Sequence, residues 1–273
     1  MAGDDNLITG IRQLIKRVED DYAAWETRQL PWFRGEPGRD DVDPLLPSVW
    51  RGDHEENALL QFFRMKAPVR DLEFVPDRGA TDQWLFLARH VGLPTRCLDW
   101  TEGLLISLYF ALRDTKPKDD RRPRVWMLNP RILNGKSLTG SPPVENSPTL
   151  TWKEDKRPGR RNLYKTNIDA AWTGEEGTMY PVAIHPTNVH PLMSAQHSCF
   201  TIHGRQKEGL HAMVGEDCLR GYKIKLTEDF TKDDGLEQLR RLGISQSALF
   251  PTAEGLAEEL DWLRERLPGD WKT

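Results

Sequence analysis

Leu104 to Leu112, LLISLYFAL, is apolar on nearly every side of a helix. Such a segment has no face to give to water, so it belongs at the centre of whatever the chain builds. Directly before it runs RHVGLPTRCLDWT, Arg89 to Thr101, which crowds one His, two Arg, one Asp, two Thr and a Trp. Polar groups beside a buried helix are either a network that fixes the turn or half of a binding site. Arg96 with Asp99 reads as an internal structural ion pair, because a buried Arg costs several kcal/mol unless paired. His90, Trp100 and Thr101 are left to face a ligand, and a histidine near neutral pH can serve as acid, base or orienter.

The rest of the chain is arranged around that centre. Leu7 to Trp25 spaces Leu7, Ile8, Ile11, Leu14, Ile15, Val18, Tyr22 and Trp25 at helical intervals. An N-terminal helix is expected within residues 1–30, ahead of a main domain over 31–273. After Pro31, WFRG (Trp32–Gly35) reads as a short strand ending in a glycine turn. Helices are expected over Glu55–Leu72, with Leu59, Leu60, Phe62, Phe63 and Met65 inward, and over Asp82–Val91, capped by Thr81. Arg96–Trp100 reads as a strand, with Thr101 capping the central helix and Glu102 in its first turn. RVWMLNP, MYPVAIHP, SCFTIHG and GYKIKLT read as further strands, and LEQLRRLGI and Thr252–Leu267 as closing helices. Between about Asn134 and Thr178, Pro, Gly, Lys and Arg accumulate, and KEDKRPGRR is a solvated charge run. A charged insert is expected there. Helices with one strand first, then a strand-rich half, make the chain α+β.

Several function classes are disfavoured. A formal net charge of -4 gives no global basic field for nucleic acid. Three widely spaced cysteines form neither a disulfide framework nor a zinc pattern. The start, MAGDDNLITG, is acidic rather than signal-like, and no stretch reaches the ~18 apolar residues of a membrane span. A cytoplasmic protein without membrane partners is therefore expected. There is no Gly-rich phosphate loop, HExxH, GxSxG or CxxC.

Two more clusters carry chemistry. In WFRG, Arg34 follows two aromatics, and its planar fork suits phosphate or carboxylate; a salt bridge at a strand end is the plainer reading. In SAQHSCFTIHG, Gln196 and His197 enter a strand with Phe200 and Ile202 on one face and Thr201 and His203 on the other. His197, His203 and His211 stand six and eight residues apart with no carboxylate ligand nearby, so no metal is expected. Cys199 sits within an apolar strand, where burial would raise its pKa and blunt it as a nucleophile.

Taken together, WFRG, LLPSVWR, HVGLPTRCLDWT with LYFAL, and AQHSCFTIH resemble the FRG domain, named for its Phe-Arg-Gly motif, here Phe33, Arg34 and Gly35. ALFPTAEGLA is similar to the family's ending, and Arg89 stands where the family more often shows Gln. A looser similarity is to mono-ADP-ribosyltransferases of the Arg-Ser-Glu type. That likeness implies split small β-sheets around a cleft, flanked by N- and C-terminal helices. It also implies NAD⁺ as substrate, with Arg34, Thr101 and Gln196 in the catalytic positions. Phe33, Gly35, His90, Trp100, Tyr109 and His197 would bind the dinucleotide, and Trp32, Trp100 or Tyr109 would wall the cleft. Gln196 departs from the acidic residue of that pattern, and Glu208 is the nearest downstream carboxylate.

The expected function is an NAD⁺-binding, ADP-ribosyltransferase-like domain that moves ADP-ribose to a macromolecular acceptor or hydrolyses NAD⁺. Stress, toxin or phage-defence settings would suit such an activity. Two alternatives stand beside it: a non-catalytic module recognising a nucleotide or protein, and a hydrolase or nuclease built on His90, Asp99 and His197.

Overall fold

The structure is a computed structural model that describes residues 7–25, 29–38, 43–70, 72, 74–116, 122–137, 180–186, 191–204 and 206–266. In chain order the elements are β1 (Leu7–Ile8), α1 (Ile11–Ala24), β2 (Trp32–Glu36), α2 (Glu56–Lys66), α3 (Thr81–His90), β3 (Cys97–Thr101) and α4 (Leu104–Arg113). There follow β4 (Arg124–Leu128), α5 (Pro130–Ser137), β5 (Val182–Ile184), α6 (Pro191–Ala195), β6 (Ser198–Ile202), α7 (Leu210–Met213) and β7 (Leu219–Ile224). Three helices close the chain: α8 (Lys232–Arg241), α9 (Gln246–Leu249) and α10 (Ala253–Arg266).

The strands form one sheet in the order β1-β7-β4-β2-β3-β6-β5. All pairings are antiparallel except β1 with β7. The α+β class is thus observed, but the expected pair of separate small sheets is a single continuous one. It is nonetheless narrow at one place. β2 meets β4 over five register pairs, and β3 meets β6 over five, whereas β2 and β3 share only Phe33↔Thr101.

Strand alternation distributes the apolar side chains. Along β4, Val125 and Met127 join one core with Phe33, α1 and α4, while Trp126 and Leu128 face the opposite side. Along β3 and β6, Cys97, Phe200 and Ile202 join a second core with α3, while Leu98, Trp100 and Cys199 face the opposite side. One face of the sheet therefore carries two cores, one on each side of the β2–β3 junction. The other face carries a single core that spans the junction, from Trp126 and Trp32 to Leu98 and Ala183. The central helix α4 is as buried as its composition demands, with Ile106, Ser107, Leu108, Tyr109, Ala111 and Leu112 inside.

Several element readings need correction. Leu7–Ile8 pairs with Lys223 and Ile224 as a strand before the first helix starts. The helix expected over Glu55–Leu72 stops at Lys66 and tightens into a 3₁₀ turn, Ala67–Val69, around Pro68. Its inward stripe is Glu56, Leu60, Phe63 and Ala67, so Phe62 (58% exposed) and Met65 (67%) point outward. Thr81 lies inside α3, with Ala80 in the cap position. The start of the expected insert is ordered helix. Asn134 there is buried, and its side-chain amide accepts from Ala183 N (2.7 Å) and donates to Ala183 O (2.9 Å). The remainder of that insert, 138–178, lies outside the described residues.

Candidate functional site

The Phe-Arg-Gly motif sits where the two panels of the sheet meet, and each of its residues has a separate task. Phe33 is buried in the first core and is the residue paired with Thr101. Gly35 lies under α4. A Cβ at that position would stand 1.9 Å from the Ser107 carbonyl oxygen and 2.6 Å from the Ala111 nitrogen, so only glycine lets the helix backbone come so close. Arg34 spans the gap where strand pairing has ended. Its Nη1 donates to the Asp99 carbonyl oxygen (2.8 Å), and its Nε lies 3.4 Å from Glu36 Oε1.

The expected Arg96–Asp99 pair does not form, because residues three apart on a strand point to opposite faces. Arg96 instead pairs with Glu56 on α2 (Nε–Oε2 2.7 Å), and Glu56 also takes the Arg96 amide (2.7 Å). Asp99 is held by Arg89 at the end of α3, which donates Nε to Oδ2 at 2.7 Å, with Arg34 Nη1 3.7 Å away. Burial alone would push the Asp99 carboxyl up, but Arg89 and Arg34 outweigh it and hold the group below the usual carboxylate range. Arg89 also donates to Ser48 Oγ (3.2 Å), which accepts the Thr95 amide (3.3 Å), so the LLPSVWR segment is tied to the same network.

A cleft of about 350 Å³ opens above this network, on the two-core face and between those cores. Arg34, Thr101 and Gln196 all border it, as do Phe33, Gly35, His90 and Trp100. Thr101 is committed within the protein: its hydroxyl donates to the Gln196 carbonyl (2.7 Å) and accepts the Gly103 amide at the start of α4 (3.0 Å). The Gln196 side-chain amide donates to the Leu249 carbonyl (3.2 Å). A second cavity of about 240 Å³ continues from the first, sharing Arg34, Gly35 and Asp114 and adding Glu36, Arg51 and Arg124. The volumes lie at or below the lower end of small-ligand sites, and the two lobes meet at Arg34.

Other expected contacts fall elsewhere. Tyr109 borders a different cavity among the C-terminal helices, and its hydroxyl bonds the Gln246 side chain. One residue further along α4 is about 100° further round, and it is Phe110 that faces the cleft. His197 is exposed in a positive-φ turn (48°), where its carbonyl accepts the Glu102 amide, and it does not line the cleft. Trp32 is fully buried, and the Trp100 indole turns to the opposite face, donating to Thr201 Oγ1 (3.0 Å). The proposed tryptophan and tyrosine walls are thus replaced by Phe33, Phe110 and Phe250. Glu208 is exposed beside Gln206 and outside the cleft. Cys199 is buried and its thiol is pushed well up, as an apolar strand requires. Among the described residues no cluster of three or more His, Cys, Asp or Glu side chains is placed to hold a metal ion.

Sequence reasoning passed over Arg89, Phe110, Asp114, Leu192 and Phe250 as cleft residues. Arg89 had a signal, its difference from the commoner glutamine; Phe250 had none beyond its place in ALFPTAEGLA. Fold and cleft together define an α+β protein with a polar-floored pocket at the narrow junction of its sheet. The sequence model of the FRG domain matches residues 30–120, the stretch from β2 through α4 that builds the cleft's floor. Comparisons with curated proteins and with solved structures gave no match. No helix among the described residues is long and apolar enough to cross a membrane.

Proposed function

We propose that the cleft binds NAD⁺ or a related nucleotide and that the domain works as an ADP-ribosyltransferase-like enzyme, passing ADP-ribose to a macromolecule or to water. The observation that carries this reading is the convergence of Arg34, Thr101 and Gln196 on one cleft, from β2, β3 and the turn before β6. In such a reaction the bond between ribose C1′ and the nicotinamide nitrogen breaks, and nicotinamide leaves with the bonding pair. The acceptor oxygen or nitrogen then bonds C1′ and loses a proton. Arg34, at the meeting point of the two lobes, would hold the pyrophosphate between them. Thr101 would act through its hold on the Gln196 backbone, and Gln196 would hold a ribose hydroxyl.

Departure of nicotinamide leaves oxocarbenium-like charge, which calls for nearby negative groups. Asp99 is already met by two arginines, and Gln196 carries no charge. That favours a second reading, recognition of the nucleotide without turnover. Purified protein is incubated with NAD⁺ and a cell extract while nicotinamide release, labelling and thermal shift are followed for wild type, Arg34→Lys and Arg34→Ala. Release that falls in both variants is the expected result. A shift without release identifies recognition alone, and neither shift nor release would sink both readings. Activity that needs a divalent metal instead of NAD⁺ would point to the hydrolase or nuclease reading of His90, Asp99 and His197.

A further inference from the structure

Phe250 lies far outside the stretch that matches the family, yet it forms part of the cleft wall. Its ring meets Phe110 edge to face, with centroids 6.0 Å apart, and the Arg113 guanidinium stands 4.6 Å over it. Both phenylalanines are only partly buried although each packs against the first core, so each keeps some surface toward the cleft. The residue before Phe250 offers its carbonyl to Gln196 Nε2, which joins this wall to the candidate catalytic position.

The wall does not stand alone. Glu259 on α10 accepts both the Ser245 hydroxyl (2.8 Å) and the Ser247 amide (2.7 Å) on one carboxylate oxygen. Gly255, on the same helix, lies so close that a Cβ would stand 2.1 Å from the Phe250 carbonyl oxygen. Tyr109 on α4 bonds Gln246 from the other side. The short helix α9 and Phe250 are thus clamped between α4 and α10.

We infer that Phe110 and Phe250 form a subsite for a flat heteroaromatic ring of the cleft's ligand, and that Glu259 is the positioning residue that sets its wall. The inference deepens the nucleotide-binding reading and rests on it for the identity of the ligand. A flat ring on a nucleotide gains from stacking on an aromatic wall whichever base it is, because every base has a π-face. The C-terminal helices therefore complete a site whose floor is the FRG stretch.

Saturation-transfer NMR and titration calorimetry with NAD⁺, AMP and nicotinamide test this on the full chain. Wild type is expected to pass saturation to the protons of one ring of NAD⁺, and whether AMP or nicotinamide does the same identifies that ring. Phe250→Leu should weaken that ligand about tenfold and abolish the ring signal while ribose protons keep theirs; Phe250→Tyr should restore both. Glu259→Ala should weaken binding in the same ligand-selective way, and Glu259→Gln, which keeps one accepting oxygen, should recover most of it. Unchanged affinity and ring signal in Phe250→Leu, with NAD⁺ still bound, would overturn the subsite while leaving the nucleotide reading intact. Phe250-dependent binding of AMP without any of NAD⁺ would keep the subsite and remove the transferase reading. Binding of none of the three removes both.

Discussion

Replacing Gly35 by alanine separates two physical effects by sign. In a strand, glycine to alanine restricts the unfolded chain and is worth about 0.4–1 kcal/mol of added stability where the backbone and space allow it. Here the space is absent. The new Cβ would stand 1.9 Å from the Ser107 carbonyl oxygen, whereas ordinary contact begins at 3.4 Å, and the obstructing atoms are backbone that no rotamer change can move. The strand and α4 must part, and Phe33, Leu108 and Leu112 lose their close packing across the first core. Overpacking of this kind costs about 1–3 kcal/mol and sometimes more, so a net loss of about 3 kcal/mol is expected. Urea denaturation of Gly35→Ala against wild type measures it. Gly10→Ala is the control, since a Cβ there meets nothing within 4 Å. A Gly35→Ala protein within about 0.5 kcal/mol of wild type would refute the steric account of the motif.

Three other perturbations probe the cleft's surroundings. His203 is fully buried against Trp50, and burial, helped by Arg34 and Arg96, pushes its pKa down to about 3 from 6.5. It stays neutral in the fold but charges in the unfolded chain, so stability is intact above about pH 6.5 and falls as pH drops toward 3. The loss should reach about 3 kcal/mol at pH 4.5, and denaturation across pH should show this slope flattened in His203→Met. Arg89→Leu, which strips Asp99 of its closest partner, should cost about 1–2 kcal/mol given the pair's partial exposure; Arg89→Gln, which can still donate to the carboxylate, should lose less than half of that in the same assay. Gln196→Glu sets a carboxylate against the Leu249 carbonyl and so turns it toward the cleft. Nicotinamide release should rise at least about tenfold, and an unchanged rate would count against the transferase reading.

How far the sequence could be read depended on whether local pattern or tertiary contact decided each point. The burial of α4 was legible because an all-apolar helix has only one place to go. Most strands were legible from runs such as RVWML and SCFTI. Direction was harder. With Leu59, Leu60, Phe62, Phe63 and Met65 all apolar, nothing local says which stripe of α2 faces in; the answer came from Glu56, drawn inside by Arg96. The same ambiguity exchanged Tyr109 for Phe110, since a helix apolar all round does not announce which ring meets a ligand. The partner of Asp99 could have been corrected from period two alone, which sets Arg96 on the other face of β3. The role of Phe250 was not readable at all, because it depends on α10 folding back over α9.

The single rung between β2 and β3 has a mechanical consequence. A four-strand panel and a three-strand panel share one continuous core on one face, like the spine of a book, and two unjoined cores on the other, like its covers. Bending about that spine breaks one strand pairing and the Arg34–Asp99 link, fewer rungs than any other seam of the sheet holds among the described residues. Whatever lodges between the covers and grips both will stiffen the whole domain, and slowed amide exchange at Phe33 and Thr101 is where that stiffening should first be felt.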